Sequence, residues 1–209
     1  MAEHLQESSA AGQLDLERRA FLDLIRMTNT MARPEEMAHQ LVVLARHLSR
    51  CEAVAIRLKA GPGYPYAASL GFPGCFLAKE DDLCAMDGGG HLLRNGHRQP
   101  ILGGLCGRVL TGWGDRGQPF LTDRGSFVTA SISLLTASAT AAQSLGPTRH
   151  ECQAAGYETV GLFPIRRDGV TYGLIQVNDR SPGRLTAEAV DLLENLASAA
   201  ANLFQLVMA

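Results

Sequence analysis

The chain has 209 residues and a formal net charge of −2 at pH 7, with a sequence pI near 6.3. It therefore lacks the broad basic surface that holds nucleic-acid phosphates, and its length suffices for one domain with a substantial core. No apolar stretch approaches the ~18 residues of a membrane span, and the N-terminus lacks the regions of a signal peptide, so we expect a cytoplasmic protein that binds neither nucleic acid nor membrane. The five cysteines, an odd number, argue against a disulfide framework.

The N-terminal part of the chain predicts two helices. Residues 1–12 are small and polar, and we expect them to be flexible. Apolar residues keep helical spacing from 13 to 30. A second helix is predicted to begin at Pro34, because proline is tolerated in a first helical turn and the carboxylates of Glu35 and Glu36 face the positive end of the helix dipole.

The next segment predicts two strands and then a long irregular region. Residues 52–59 indicate a first strand, a Gly-Pro-Gly turn follows, and residues 66–70 indicate a second strand. From 71 to 125 regular periodicity fades, and a segment of that length inside a compact domain is usually functional or disordered. The segment also contains residues of types that are usually buried, which argues against simple disorder. They are Cys75, Cys84, Cys106, Trp113 and Phe120.

Residues 126–140 have an apolar pattern compatible with a helix that carries many hydroxyls. Those hydroxyls either face a pocket, as the side chains of Thr129 and Ser131 would, or bond back to the helix's own carbonyls. A short helix from 148 to 155 is predicted to end at Gly156, and it brings Cys152 close to the following strands.

The centre of the chain is a predicted β-hairpin within residues 156–184. Its turn is Asp168-Gly169, a pair that accepts the positive φ of a two-residue hairpin turn. Both flanking strands are apolar on both faces, which predicts a sheet covered by helices on one side and by a pocket or lid on the other.

The last helix is predicted to begin at the N-cap Thr186, with Leu185 and Val190 spaced as a hydrophobic staple. It carries two apolar seams. One seam covers the sheet, and the second packs on another helix, either the N-terminal helix of the same chain or a helix of a second copy. We therefore expect a homodimer through the terminal helices, with packing inside one chain as the alternative.

The order of these elements, together with Pro164-Ile165, the run from Gly173 to Asn178 and Arg184-Leu185-Thr186, resembles the GAF domain family over about residues 35–207. The run from Gly125 to Ser138 is similar to a subgroup attached to bacterial sensor histidine kinases. The resemblance implies an α+β fold, an α/β sandwich, in which a central antiparallel sheet has the terminal helices on one face and a pocket covered by loops and helices on the other. It also implies a single domain over residues 13–209.

The resemblance further implies a sensory module of a two-component signalling system that binds a small molecule or cofactor. We expect its pocket to involve Phe127, Thr129, Ser131, Tyr157 and Gln176. The terminal helices would pass the signal to a histidine kinase or another signalling partner, or across a homodimer, because the sequence ends at Ala209 without an output region.

The cysteines leave three alternatives open. In the resembled subgroup cysteines recur at positions matching Cys84, Cys106 and Cys152, whereas a further such position is Gly104 here. Three thiolates could hold zinc or an iron–sulfur cluster, could sense redox conditions, or could be structural.

An enzyme is the minority interpretation. No catalytic triad, phosphate-binding loop or paired-carboxylate spacing stands out, so we expect no catalytic residues. Some GAF-like domains reduce free methionine sulfoxide with pocket cysteines that lie closer together in sequence, and this thiol activity remains an alternative.

Overall fold

The structure is a computed structural model that describes residues 33–113, 117–145 and 149–208. The predicted helix at 13–30 and the expected flexible N-terminus lie outside these residues. The described helices are α1 (Pro34–Ser49), α2 (Gly74–Glu80), α3 (Gly104–Thr111), α4 (Ile132–Ala137), α5 (Ala139–Leu145), α6 (Glu151–Ala154) and α7 (Ala187–Val207). The described strands are β1 (Ala53–Leu58), β2 (Tyr66–Leu70), β3 (Phe127–Thr129), β4 (Thr159–Arg167) and β5 (Val170–Asp179).

The strands form one antiparallel sheet in the order β2-β1-β5-β4-β3. The predicted hairpin is its centre, since β4 and β5 pair along their whole length and β1 pairs with β5 on the other side. Asp168 and Gly169 have φ values of 50° and 77°, the two positive values that the Asp-Gly turn predicted. The sheet therefore has the antiparallel form expected from the sequence.

One face of the sheet is covered by α1 and α7. Because side chains alternate along a strand, Ile175 and Val177 of β5 point to this face and pack in one core with both helices. As predicted, α7 begins after an N-cap at Thr186, whose side chain accepts a hydrogen bond from Ala189 N at 3.2 Å. The two-layer arrangement on this side confirms the expected placement of the terminal helices.

The opposite face is also covered, by α2 to α6 and their connections. Two further apolar clusters lie there, one around Leu162 and Leu174 and one around Ala55 and Tyr157. The sheet is thus buried on both sides, as the two-sided apolarity of the hairpin predicted. Among the described residues, none of the helices combines the length and the apolar character needed to cross a membrane.

The structure differs from the predicted helix at residues 126–140. Phe127–Thr129 form strand β3, in which Val128 pairs with Gly161 of β4. The exposed main chain along β4 gains hydrogen bonds from this pairing, which outweigh the local helical pattern. The helix begins only at Ile132, where the side chain of Ser131 accepts a hydrogen bond from Leu134 N at 3.2 Å.

The region from 71 to 125, predicted to be irregular, contains α2, α3 and a compact segment between them. In that segment Ala85 N donates to Ile101 O, Leu93 N to Ala85 O, and Ile101 N to Leu93 O, at 2.8 to 3.0 Å. The side chains of Asp87 and Asn95 each accept two main-chain N–H groups at the tips of its turns. Local turn chemistry, rather than helical or strand periodicity, orders this segment.

Candidate functional site

A small cavity lies between the sheet and the helices that cover its second face. Its volume is about 30 Å³, and its lining includes Cys106 from α3, Cys152 from α6, Glu80 at the end of α2, and Val160 from β4. A water molecule needs roughly 10–15 Å³, so the cavity has room for about two or three. Pockets for drug-sized ligands are usually about 300 Å³ or larger, which makes this cavity a site for a very small group.

One side-chain amide, that of Gln176 on β5, joins the two cysteines. Its Oε1 accepts hydrogen bonds from the phenol of Tyr66 at 3.0 Å and from Cys106 Sγ at 3.8 Å. Its Nε2 donates to Cys152 Sγ at 3.9 Å and to Asn178 Oδ1 at 3.3 Å. Because an amide has both donors and an acceptor, Gln176 contacts both thiols at once. The sequence analysis named Gln176 as a pocket residue; in the structure it contacts the two cavity thiols but does not itself line the cavity.

A buried cation lies next to this amide. Arg57 of β1 is fully buried, and it donates hydrogen bonds to the main-chain carbonyls of Tyr64 at 2.9 Å, Asp81 at 3.1 Å and Glu80. Its guanidinium carbon lies 3.6 Å from the ring centroid of Tyr66. A guanidinium has five N–H donors, and these contacts use only some of them. The Nε of Arg57 has no hydrogen-bond partner among the described residues.

Two further buried polar atoms near the cysteines lack hydrogen-bond partners within the described parts of the chain: Glu80 Oε1 and Asn178 Nδ2. Glu80 lines the cavity, and Arg149 Nη1 lies 3.7 Å from its Oε1 while donating to Asp82 O at 2.7 Å. An unsatisfied buried polar group costs about 1–3 kcal/mol. Glu80 at the cavity and Asn178 against the cavity-lining Cys152 therefore indicate a place where a polar or charged species binds.

Burial dominates the acid–base behaviour of the two thiols. It raises the pKa of Cys106 to about 11 and that of Cys152 to about 12, and the charge of Cys106 raises the latter further. Burial likewise raises the pKa of Glu80, against the opposing charges of Arg149 and Arg57. At neutral pH both thiols are therefore protonated, and either becomes a thiolate only when something replaces its proton.

The three predicted cysteines do not meet at one point. Cys84 Sγ lies 3.8 Å from the carbonyl oxygen of Pro62, and Cys84 does not line the cavity that Cys106 and Cys152 share. Over residues 33–113, 117–145 and 149–208, no group of three or more His, Cys, Asp or Glu side chains is arranged to hold a metal ion. The structure brings together a pair of thiols instead of three.

The predicted pocket hydroxyls are used inside the chain. Thr129 Oγ1 donates to the carbonyl of Ser131 at 3.1 Å, and Ser131 Oγ donates to the carboxylate of Glu158 at 2.6 Å. Thr136 does line the cavity, but its hydroxyl bonds back to the carbonyl of Ile132 at 2.9 Å. Most of these hydroxyls thus serve turns and caps.

The two predicted aromatic residues lie in apolar clusters beside the cavity. Phe127 stacks against Trp113 with ring centroids 6.0 Å apart. Tyr157 packs edge-on against Phe72 and Phe76, and its buried hydroxyl has no hydrogen-bond partner among the described residues. Both residues support the walls of the second face without lining the cavity.

The sequence prediction missed Arg57, Tyr66, Glu80 and Arg149. Arg57 carried a signal, because it is the one charged residue inside the apolar run from 53 to 58. Glu80 and Arg149 lie in segments without periodicity, and only the folded chain brings them within 3.7 Å of each other.

Comparison with known proteins identifies the fold. The sequence model of the family described as GAF domain matches residues 33–204. The GAF domain of an Acinetobacter phosphoenolpyruvate-protein phosphotransferase is similar, with a TM-score of 0.58, 16% identity, and 94% of each chain covered. The GAF domain of a Pseudomonas syringae pv. tomato protein described as a sensor histidine kinase has a TM-score of 0.52 and 16% identity, over 97% of this chain and 91% of that one.

A domain of a Sinorhizobium meliloti 1021 protein, described as a two-component sensor histidine kinase, is also similar. Its TM-score is 0.53 at 13% identity, over 85% of this chain and 94% of that one. A search of curated proteins found no match. At these identities the structural neighbours establish the fold alone.

Proposed function

The chain belongs to the GAF domain family, and from that premise we propose that it is a sensory module whose cavity between Cys106 and Cys152 takes up a small ligand. Occupancy of the cavity would alter the packing of α1 and α7 on the far side of the sheet. Sensory roles of GAF domains in signalling proteins support the coarse assignment. The geometry of β5 supports the more specific proposal, that the cavity between Cys106 and Cys152 takes up the ligand.

The observation that carries the proposal is the alternation along β5. Gln176 contacts both of the thiols that line the cavity, whereas its neighbours Ile175 and Val177 face the opposite way and pack in the core under α1 and α7. A displacement of Gln176 would therefore also displace β5, against which both α1 and α7 pack. In a closely packed core such a shift is transmitted, because few voids are available to absorb it.

Movement of the cover over the partly open cavity would ease the admission of a ligand. The cover includes α6, a helix of only four residues, which is tied to α2 by a Lys79–Glu151 ion pair at 3.7 Å. Arg149, just before α6, is tied to Asp82 O. Apart from Cys152, which packs against the apolar clusters of this face, these contacts of α6 and its flank are largely exposed, so local opening here costs less than unfolding.

The terminal helices are the proposed output. Leu196 and Leu203 of the second α7 seam are buried within the chain's own core, in the arrangement given as the alternative to a dimer. Leu206, further along the seam, is 74% exposed. A homodimer or a contact with a histidine kinase through this end of α7 remains our proposal for the partner.

The thiol-enzyme alternative finds less support. A catalytic cysteine needs an accessible thiolate, whereas burial raises the pKa of Cys106 to about 11 and of Cys152 to about 12. A binding role for these thiols fits their environment better.

Thiol-modification rates in the native protein test ligand access. Cys51 is the matched control, because it is as buried as Cys106 and its pKa is likewise raised to about 11, but it lies in the helix-covered core. With methyl methanethiosulfonate we expect exposed Cys75 to react first, Cys106 and Cys152 next, and Cys51 only upon unfolding. Equal rates for Cys106, Cys152 and Cys51, measured by peptide mass mapping, would show a closed cavity and contradict ligand uptake.

A further inference from the structure

We propose that Cys106 and Cys152 together bind one soft monovalent metal ion, of the chemical class of Cu(I), in a two-thiolate site at the cavity. This inference rests on the proposed function, since it names the class of ligand for the same cavity. It differs from the three-cysteine centre expected from the sequence, because Cys84 takes no part.

The donor set selects the class of ion. Both sulfurs line one cavity, and both lie within 4 Å of the single amide of Gln176. Soft sulfur ligands favour Cu(I), zinc and iron–sulfur clusters. Structural zinc and iron–sulfur clusters need about four protein ligands. Glu80, His150 and Glu151 also line the cavity, but among the described residues no three His, Cys, Asp or Glu side chains are arranged to hold one metal ion. Of the three kinds of centre, the one that is stable with two thiolates alone is Cu(I).

The charges around the cavity balance for a monovalent ion. On binding, each thiol releases its proton to solvent and forms one sulfur–metal bond, and no electron is transferred. Two thiolates and one Cu(I) carry a single net negative charge. Fully buried Arg57, whose positive charge acts on Cys106, supplies the matching positive charge. Its three hydrogen bonds go to neutral carbonyls. The charge of Arg57 also acts on Glu80, but Glu80 has an opposite charge of its own in Arg149, 3.7 Å away, so these two lining residues offset each other and Arg57 offsets the site.

Hydrogen-bond donors for the thiolates are already in place. Gln176 Nε2 donates to Cys152 Sγ, and Asn178, which also acts on Cys152, has an Nδ2 without a partner in the described structure. Arg57 Nε is a second unpartnered donor, on the side of Cys106. Metal-bound sulfur accepts such bonds, and they hold ligands in place and tune the metal. The site therefore provides acceptors for two buried donors that otherwise have none.

The size of the cavity agrees with a bare ion. A volume of about 30 Å³ is too small for an organic metabolite or a hydrated divalent cation, but it accommodates one dehydrated ion beside the two cysteines that line it. Cu(I) sheds its water readily in favour of thiolate, unlike the hard cations that keep theirs.

The test is an oxygen-free titration of the full chain with Cu(I), in competition with the chelator bathocuproine disulfonate. We expect one tightly held ion per chain and a thiolate-to-metal absorption band in the ultraviolet. Cys106→Ser and Cys152→Ser should each lose the band and weaken binding by at least about 100-fold, and Asn178→Leu should weaken it by about 10–100-fold. Cys75→Ser and Cys84→Ser are the matched controls and should bind as the unchanged chain does.

Unchanged affinity in Cys106→Ser or Cys152→Ser, or an equal loss in Cys84→Ser, would overturn the two-thiolate site. Should a serine variant fail to fold, the native chain methylthiolated at Cys106 and Cys152 must lose the ion instead, and retention would overturn the site equally.

Failure of this inference is distinguishable from failure of the proposed function. An ion bound at Cys106 and Cys152 that leaves amide exchange in α7 unchanged supports the metal site and contradicts signal transmission. An absence of Cu(I) binding refutes the metal site alone, because transmission is measured separately by methylthiolation of the same cysteines.

Discussion

Tyr66 donates its phenol hydroxyl to Gln176 Oε1 at 3.0 Å, and this hydrogen bond fixes which end of the amide faces each cysteine. With Oε1 held by Tyr66, Nε2 is directed toward Cys152 and Asn178. Arg57 in turn stacks on the Tyr66 ring, 3.6 Å from its centroid. The orientation of the central amide thus depends on β1 and β2 as well as on β5.

Removing the Gln176 amide should destabilise the fold. Gln176→Leu leaves the buried Tyr66 hydroxyl without its acceptor, so we expect the free energy of unfolding to fall by about 1–3 kcal/mol in urea titrations. In the double variant Tyr66→Phe/Gln176→Leu, the free energy of unfolding should fall by less than the sum of the losses in the two single variants. The reason is that neither polar partner is then left unpaired. Strict additivity in this double-mutant cycle would show that the bond contributes nothing.

Glu158 should make stability depend on pH. The hydroxyl of Ser131, followed by that of Ser133, holds the pKa of Glu158 below its ordinary 4.5. A carboxylate with a lowered folded-state pKa contributes stability that is fully present above the unfolded-state pKa and is lost as pH falls through the folded-state pKa. Glu158→Gln should therefore be less stable than the unchanged chain at pH 7, with the difference shrinking below about pH 4.5.

Unfolding titrations from pH 7 to pH 3 check the Glu158 prediction. Asp123→Asn, which alters an exposed turn carboxylate, serves as the control and should not reproduce the pH-dependent difference. A stability gap for Glu158→Gln that stays constant down to pH 3 would mean that the hydroxyl contacts do not favour the ionised form.

The N-cap of α7 should contribute measurably to stability. Thr186→Ala removes the acceptor for Ala189 N, and loss of such a cap costs about 0.5–2 kcal/mol. Thr186→Ser keeps the hydroxyl and should stay within a few tenths of a kcal/mol of the unchanged chain. Chemical denaturation measures both, and equal losses for alanine and serine would assign the effect to packing.

Self-association through α7 is tested best at Leu206. A change at Leu196 is unsuitable, because Leu196 is buried and a charge there would unfold the chain. Leu206→Glu should weaken a dimer at least about tenfold, since a buried interfacial charge is costly. Leu134→Glu is the matched control, because Leu134 is 76% exposed and belongs to the opposite face. If light scattering shows the same mass for the unchanged chain, Leu206→Glu and Leu134→Glu, a dimer through this end of α7 is contradicted.

Much of the fold could be predicted because the signals were local. The Asp168-Gly169 turn, the Thr186 cap and the two-sided apolarity of β5 each depend on neighbours in sequence, and each is present in the structure. Strand β3 was missed because its pairing with β4 joins residues more than thirty positions apart, such as Val128 and Gly161. Its own sequence is compatible with a helix, so tertiary hydrogen bonding decided the outcome.

The site could be predicted only in part. The sequence analysis named Gln176 and a set of three cysteines, but sequence spacing could not show that Cys84 lies apart from Cys106 and Cys152, near Pro62. Glu80 and Arg149 meet only because α2 and the segment before α6 cover the same cavity. Long-range polar contacts of this kind have no periodic signature in the sequence.

The most direct test of coupling between the cavity and the helices is amide hydrogen exchange. The measured protein is a variant in which Cys106 and Cys152 are the remaining cysteines, before and after methylthiolation. The control is a variant in which exposed Cys75 is the remaining cysteine, treated in the same way. If β5 transmits occupancy, exchange in α1 and α7 changes by several-fold upon modification of the cavity thiols and stays unchanged upon modification of Cys75. Changes confined to residues 104–111 and 151–154, with α1 and α7 unaffected, would contradict the coupling.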